Sequence, residues 1–358
     1  LWTAGILVMY FFLTNVTLYG LQTGQSDFYG QFRSILAGAS GSILQLGIGP
    51  IVTASIVLQL LGGADLLGLD TENDPRDQVL YQGLQKLLVV AMCILTGAPM
   101  VFASPILSAD PAVAQALGIG TRGVEALLFA QIFVGGILLL FMDEIVSKWG
   151  VGSGVGLFII AGVSQRLVGG LFSWNGLTAG SSDGFFAVWI GIITGSTELP
   201  ASPLTSDGLS AIFLGQGMIL AMITTVLIFV VVVYAESVRV EIPLSHARVK
   251  GARGKFPVKL IYASVLPMIL VRALQANLQF LGQILHSQWA GMPVWLGEYD
   301  SQTGQVTEGL FWYLKPIQSP EQWMWFAGAT VTADAWQVLV RIGIDLTFMI
   351  VGGAIFAI

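Results

Sequence analysis

Eight apolar runs, each near the length needed to cross a bilayer, govern what this chain can fold into. They cover residues 1–20, 46–62, 82–103, 124–142, 154–172, 211–235, 257–285 and 333–358. A bilayer core of about 30 Å takes roughly 20 helical residues. In hydrocarbon the backbone must satisfy its own N–H and C=O groups, which a helix does within one segment. The chain therefore reads as an all-α integral membrane protein. Composition agrees: 55% of residues are hydrophobic and 10% are charged, against about a quarter charged in soluble domains. Mean hydropathy is +0.79. A disordered chain, a collagen and an ordinary soluble enzyme are excluded. The second run is short and opens on glycines and Pro50, so it reads as a half-length or re-entrant element. Residues 185–194 are too short to span and read as interfacial. The chain opens without Met inside one apolar run and closes inside another, so it reads as a core lacking both ends. Residues 1–20 have no basic leader or small-residue cleavage site and are not read as a signal peptide.

The positive charge is lopsided. If eight spans alternate, the segments near 63–81, 143–153 and 236–256 share one side. With the adjoining helix ends they hold Arg76, Lys86, Lys148, Arg239, Arg248, Lys250, Arg253, Lys255 and Lys259, nine of the fifteen Lys and Arg residues. The long opposite loops, 104–122, 173–210 and 286–332, hold only Arg122 and Lys315. Positive residues stay inside, which places the first group and the N-terminus in the cytoplasm. The outer loops are acidic (Asp110, Asp183, Glu198, Asp207, Glu298, Asp300, Glu308 and Glu321), which suits high salt. The formal charge of −6 argues against general nucleic-acid binding.

Several features could carry chemistry. Gly38-Ala39-Ser40-Gly41 matches the GxSG of intramembrane serine proteases, which need a histidine within reach of the serine. His246 falls in a cytoplasmic loop, and His286 ends the seventh run on the outer side. In a chain with 44 glycines so short a match arises by chance, and a small-residue turn is the plainer reading. Cys93 is the only cysteine, which excludes an intramolecular disulfide. With two histidines and few buried acids, neither a metal site nor a cofactor is expected.

Residues 27–62 read as a short amphipathic piece (Phe28, Phe32, Ile35, Leu36), a glycine and serine hinge, and a proline-led helix. This is either an outer amphipathic loop or a small mobile domain folded into a vestibule. The glycine-rich stretch 150–159 lacks the ending of a phosphate loop. It serves close helix packing, or it presents Val155 and Ile159 on one face. Ile48 and Val52 share that spacing, and facing aliphatic residues can form a constriction that gates by dewetting. Residues 245–259 carry Arg248, Lys250, Arg253, Lys255 and Lys259 with no acid. They are either a topology signal touching anionic lipid or a dock for a polyanion such as ribosomal RNA. Arg272 lies mid-span in the seventh run. Arg341 and Asp345 are four apart in the eighth. Intramembrane charges are costly and face partners or water. These two runs are antiparallel, so Arg272 and Asp345 reach similar depth and an ion pair or network is expected.

Together these stretches resemble the SecY family, the protein-conducting channel subunit related to the eukaryotic translocon alpha subunit. The resemblance is carried by Leu46-Gly47-Ile48-Gly49-Pro50-Ile51-Val52-Thr53-Ala54, by Gln82-Gly83-Leu84-Gln85-Lys86-Leu87, and most strongly by Asp143-Glu144-Ile145-Val146-Ser147-Lys148 running on through Gly152-Ser153-Gly154-Val155-Gly156-Leu157-Phe158-Ile159 to Gly162-Val163-Ser164-Gln165. Tyr234-Ala235-Glu236, Val240-Glu241-Ile242-Pro243-Leu244 and Lys255-Phe256-Pro257-Val258-Lys259-Leu260 add to it. The wording is nearest the archaeal branch, and the acidic loops suit a halophile.

The resemblance implies ten helices in two inverted five-helix halves, of which about eight are present. The first half would be 1–172, with a plug at about 27–42. An outer loop follows at 173–210. An incomplete second half covers 211–358, with a basic cytoplasmic loop at about 236–256. The resemblance also implies a pore constriction at Ile48, Val52, Val155, Ile159 and Ile269. Plug contacts fall at Thr53, Thr96 and Asn277, with Thr96 replacing a larger polar residue of some relatives. A ribosome-docking loop would use Arg248, Lys250, Arg253 and Lys255, and the lateral gate would lie near Arg272, Arg341 and Asp345. The implied partners are a clamp subunit (SecE or gamma), a beta subunit, a translating ribosome, signal peptides and nascent chains, and the bilayer itself. The implied function is passive passage of unfolded polypeptide across, or sideways release into, the cytoplasmic membrane, with no enzyme activity. The competing classes are a secondary transporter with a broken-helix midplane site and the protease built on Ser40.

Overall fold

The computed structural model describes residues 2–22, 37–63, 68, 74–102, 107–173, 184–194, 219–245, 253–259, 265–289, 291–299, 306–317 and 334–357. All eight apolar runs contain helix. In chain order these are α1 (Trp2–Asn15), α2 (Gly49–Gly63), α3 (Pro75–Phe102), the short α4 (Pro111–Leu117), α5 (Gly120–Trp149), α6 (Gly154–Phe172), α7 (Phe185–Thr194), α8 (Ile219–Ser237), α9 (Val265–Gln288), the short α10 (Leu310–Leu314) and α11 (Ala335–Ala357). Among the described residues five helices are long and apolar enough to span a membrane: α3, α5, α6, α9 and α11. α1 and α2 are shorter, at 14 and 15 residues, and α7 has 10.

Local chemistry sets several helix ends. Asp110 caps α4 by accepting from the Ala112 N–H at 2.8 Å, with Pro111 at the first position, where its missing N–H costs nothing. Gly118 ends that helix in the left-handed conformation. Ser153 caps α6 by accepting from the Gly156 N–H, and the Asp143 carboxylate accepts from the Val155 N–H. A methyl built on Gly154 would run into Asp143, so the turn from α5 into α6 is this tight only with glycine there.

The chain forms two compact units, residues 1–163 with 265–358, and residues 164–264. In the first, α5 packs on α1, α3 and α4, α2 lies against α3 and α9, and α9 lies along α11. Its core includes Tyr10, Leu44, Ile48, Val89, Leu128, Ile132, Leu139 and Phe158, all close to fully buried. Lys86 and Lys148 both bind Glu144 at 2.6 Å, tying α3 to α5. Residues 291–299 and 306–317 form a small cap. It has two short antiparallel strands, β3 (Glu298–Tyr299) and β4 (Val306–Glu308), followed by α10.

In the second unit α8 is almost entirely exposed along its apolar length. The expected basic loop is a regular hairpin. β1 (Arg239–Ser245) pairs antiparallel with β2 (Arg253–Lys259), from Arg239 opposite Lys259 to Ser245 opposite Arg253.

Candidate functional site

The short helix α2 starts on Gly49-Pro50. The strap leading into it, residues 37–48, is a chain of tight turns. Gly41 N–H donates to Gln45 Oε1 at 2.7 Å, Gln45 N to Ser42 O at 3.0 Å, and Gly47 N to Leu44 O at 3.0 Å. Leu18 N reaches Gly41 O at 2.7 Å, and Ile43 N reaches Val16 O at 3.1 Å, which fastens the strap to the end of α1. On its other side Gly135 of α5 lies so close that a methyl there would overlap the Ile43 carbonyl. The strap delivers Ile48, fully buried, and Val52 lies one turn into α2 at 3% exposure.

Ile48 and Val52 belong to one apolar cluster, and Val155 and Ile159 of α6 pack against it half-buried. All four are β-branched and offer no side-chain hydrogen bond. Ile269, on α9, is buried outside that cluster. Asn277 Nδ2 of α9 donates to Thr53 Oγ1 of α2 at 2.9 Å, and the Thr53 hydroxyl donates to Gly49 O at 2.8 Å. Thr96 spends its hydroxyl on its own helix, at Met92 O, 2.8 Å away.

The charged groups of α9 and α11 meet in a compact network. Arg272 holds Asp345 with two bonds, Nη1 to Oδ1 at 2.7 Å and Nη2 to Oδ2 at 3.2 Å. Gln275 completes it, accepting from Arg272 at 2.8 Å and donating to Asp345 at 3.0 Å. Arg341 turns to the cap: it donates to the carbonyls of Lys315 and Pro316 and lies over the Trp312 ring, 4.7 Å from its centroid. Gln279 of α9 also reaches the cap, donating to Phe311 O at 2.7 Å. The cap therefore touches both helices. Burial, and then the neighbouring Arg341 charge, push the Lys315 ammonium down to about 8. Burial also raises the Tyr299 hydroxyl above its usual value.

Of the remaining candidates, Arg253 and Lys255 lie two apart on β2, while Arg248, Lys250 and His246 lie outside the described residues, as do residues 27–36. Ser40 is an exposed turn residue, and the His286 ring packs against Tyr299 at 5.0 Å. Sequence reasoning missed Gln275, Gln279 and Tyr10. The first two share a face of α9 with each other, and a four-residue glutamine spacing in an apolar run was the available signal.

A multi-pass membrane helix bundle is the class this fold defines. The chain belongs to the SecY family. The SecY model matches residues 42–358, and the plug domain of Sec61p matches residues 8–41. The protein translocase subunit SecY of Haloferax volcanii is 75% identical over 358 residues, which is 100% of this chain and 72% of that protein. That of Archaeoglobus fulgidus is 45% identical over 362 residues, covering 99% of this chain and 71% of the relative. Among solved structures, one titled the structure of a protein conducting channel superposes with a TM-score of 0.72 at 33% identity, covering 98% of this chain and 69% of that one. Sec61 in the canine ribosome-channel complex from the endoplasmic reticulum gives 0.70 at 34%, covering 98% and 70%.

Proposed function

We infer that this chain is the channel subunit of a protein translocase, passing unfolded secretory polypeptide across a membrane and releasing hydrophobic segments sideways into lipid. The observation that carries this is the apolar cluster that Ile48 and Val52 share with Val155 and Ile159. An apolar ring sheds water and ions around a passing chain and offers no bond to hold it. Ile269 joins that ring from α9, and residues 27–42 act as the plug. Thr53 and Asn277 hold the plug side of the gate shut, with Thr96 as a further polar contact. A solute transporter would need polar or charged groups converging at the midplane, and this surface is aliphatic.

The lateral gate opens where α2 and α3 face α9 and α11. The Arg272–Asp345 network and Arg341 lie beside it and tune how readily it opens. In this reading residues 1–172 and 211–358 are the two halves, joined by the outer loop 173–210. The N-terminus is cytoplasmic and the membrane is the cytoplasmic one, as the distribution of Lys and Arg argues. The basic hairpin docks a translating ribosome through Arg248, Lys250, Arg253 and Lys255. A clamp subunit of the SecE or gamma type and a beta subunit complete the channel. The chain performs no catalysis, so the driving force comes from its partners.

The test is crosslinking. A single cysteine replaces Ile159 in a full-length version carrying Cys93→Ser, and a stalled secretory chain with one cysteine is presented. A signal-dependent adduct supports the reading. Absence of an adduct at Ile159, and likewise at Ile48 and Ile269, overturns the constriction and brings the transporter reading forward.

A further inference from the structure

We propose that Tyr10 is a positioning residue for the constriction: it pins the strap of residues 37–48 to α6, so that Ile48 and Val52 stay packed with Val155 and Ile159. The inference rests on the constriction reading above. Tyr10 sits in α1 at 1% exposure, and its hydroxyl donates to the Ala37 carbonyl at 2.9 Å, across 27 residues of chain. Ala37 is itself buried and adopts a φ of +50°, a conformation that side-chain-bearing residues rarely take. Such a residue keeps that conformation only where its surroundings over-determine it. The Tyr10 ring is itself anchored. It stacks on Phe158 at 5.3 Å between centroids, and Phe158 lies on α6 between Val155 and Ile159. One turn further along α6, a methyl on Gly162 would stand 3.4 Å from the Ala37 Cα and 3.5 Å from the Tyr10 hydroxyl. Thus α1, the start of the strap and the constriction helix meet at one point.

Beyond Ala37 the strap has little freedom. Its turns are internally bonded, and it is wedged against Gly135. Holding its first residue therefore fixes its last, Ile48. A shift of α6 as a polypeptide enters pulls on Phe158 and Tyr10 together, and the strap is released in the same movement.

The experiment measures resting ion conductance of the full-length channel complex in planar bilayers. Tyr10→Phe keeps the ring and removes the hydroxyl, which leaves the buried Ala37 carbonyl without this donor. The expected result is about a tenfold rise in resting open events. Phe158→Leu, which removes the stack from the α6 side, should act in the same direction. Thr14→Val is the control. It also deletes a buried hydroxyl of α1, one bonded within its own helix to Phe11 O at 2.8 Å. It should match Tyr10→Phe in unfolding midpoint while leaving conductance at the wild-type level. Ile48→Gly tests the constriction independently. Leak from Ile48→Gly with a silent Tyr10→Phe overturns the Tyr10 inference and leaves the channel reading standing. Silence from both overturns the two together. Equal leak from Thr14→Val and Tyr10→Phe overturns the positioning role in favour of general loosening of α1.

Discussion

Removing Asp345 tests whether the α9–α11 network is a coupled unit. Asp345→Leu leaves the Arg272 guanidinium without its bidentate acceptor and takes from Gln275 the oxygen it donates to at 3.0 Å. Breaking a buried pair costs about 3–5 kcal/mol. Here the side chains of Arg272 and Asp345 are 21% and 13% exposed, so residual solvation lowers the cost to about 2–3 kcal/mol. Arg272→Met should cost a similar amount, because it strands the carboxylate. The double variant removes both charges and replaces them with side chains that lipid and α9 accept. It should lie within about 1 kcal/mol of wild type. The predicted coupling is therefore about 3 kcal/mol or more, of compensating sign. Unfolding of the purified complex in graded mixed micelles of dodecyl sulfate gives the four free energies. Singles costing under about 0.5 kcal/mol, or a double whose cost is the sum of the singles, would refute the claim that these groups act as one network.

Three further outcomes are expected. Asn277→Leu deletes the bond to Thr53 between α2 and α9 and should favour gate opening by about tenfold, read as relaxed dependence on the signal sequence in a translocation assay; Thr53→Val should do the same, and the double should add little. Lys315 titrates near 8 in the fold, below the ordinary lysine value of 10.5. The unfolded chain then binds more protons between those values, so stability should rise with pH from about 8 towards 10.5; Lys315→Met should flatten that part of the profile of unfolding midpoint against pH. Charge reversal at Arg248, Lys250, Arg253 and Lys255 should weaken ribosome binding with a steep salt dependence, measured by co-sedimentation, and undiminished binding would return the hairpin to a topology signal.

The helices are legible because each contains an apolar run near spanning length with few charges, and a helix satisfies such a backbone within one segment. The cap is not legible, because β3, β4 and α10 are too short to declare themselves. They are held by Arg341, Gln279 and the stacked Trp312, contacts that join distant residues. The hairpin is hidden for a different reason. Arg239–Ser245 and Arg253–Lys259 each contain a proline and several charges, which composition reads as loop. At the site, equal depth of Arg272 and Asp345 follows from two antiparallel runs. The part played by Gln275 follows only halfway, because the four-residue spacing of Gln275 and Gln279 marks a polar face on α9 without saying which group that face meets. The closeness of Gly135 and Ile43 is likewise invisible, because among 44 glycines nothing distinguishes one that a neighbouring carbonyl touches.

The two prolines of the hairpin have a consequence for what it can recognise. Pro243 lies opposite Lys255, and Pro257 lies opposite Glu241. A ladder tolerates proline where the missing N–H faces outward, so each outer edge lacks one main-chain donor. A two-stranded ribbon exposes both edges, and an edge with all its donors invites any extended chain to add a strand. This protein works among unfolded polypeptides, which are such chains. Gaps in both edges make the ribbon a poor template for them.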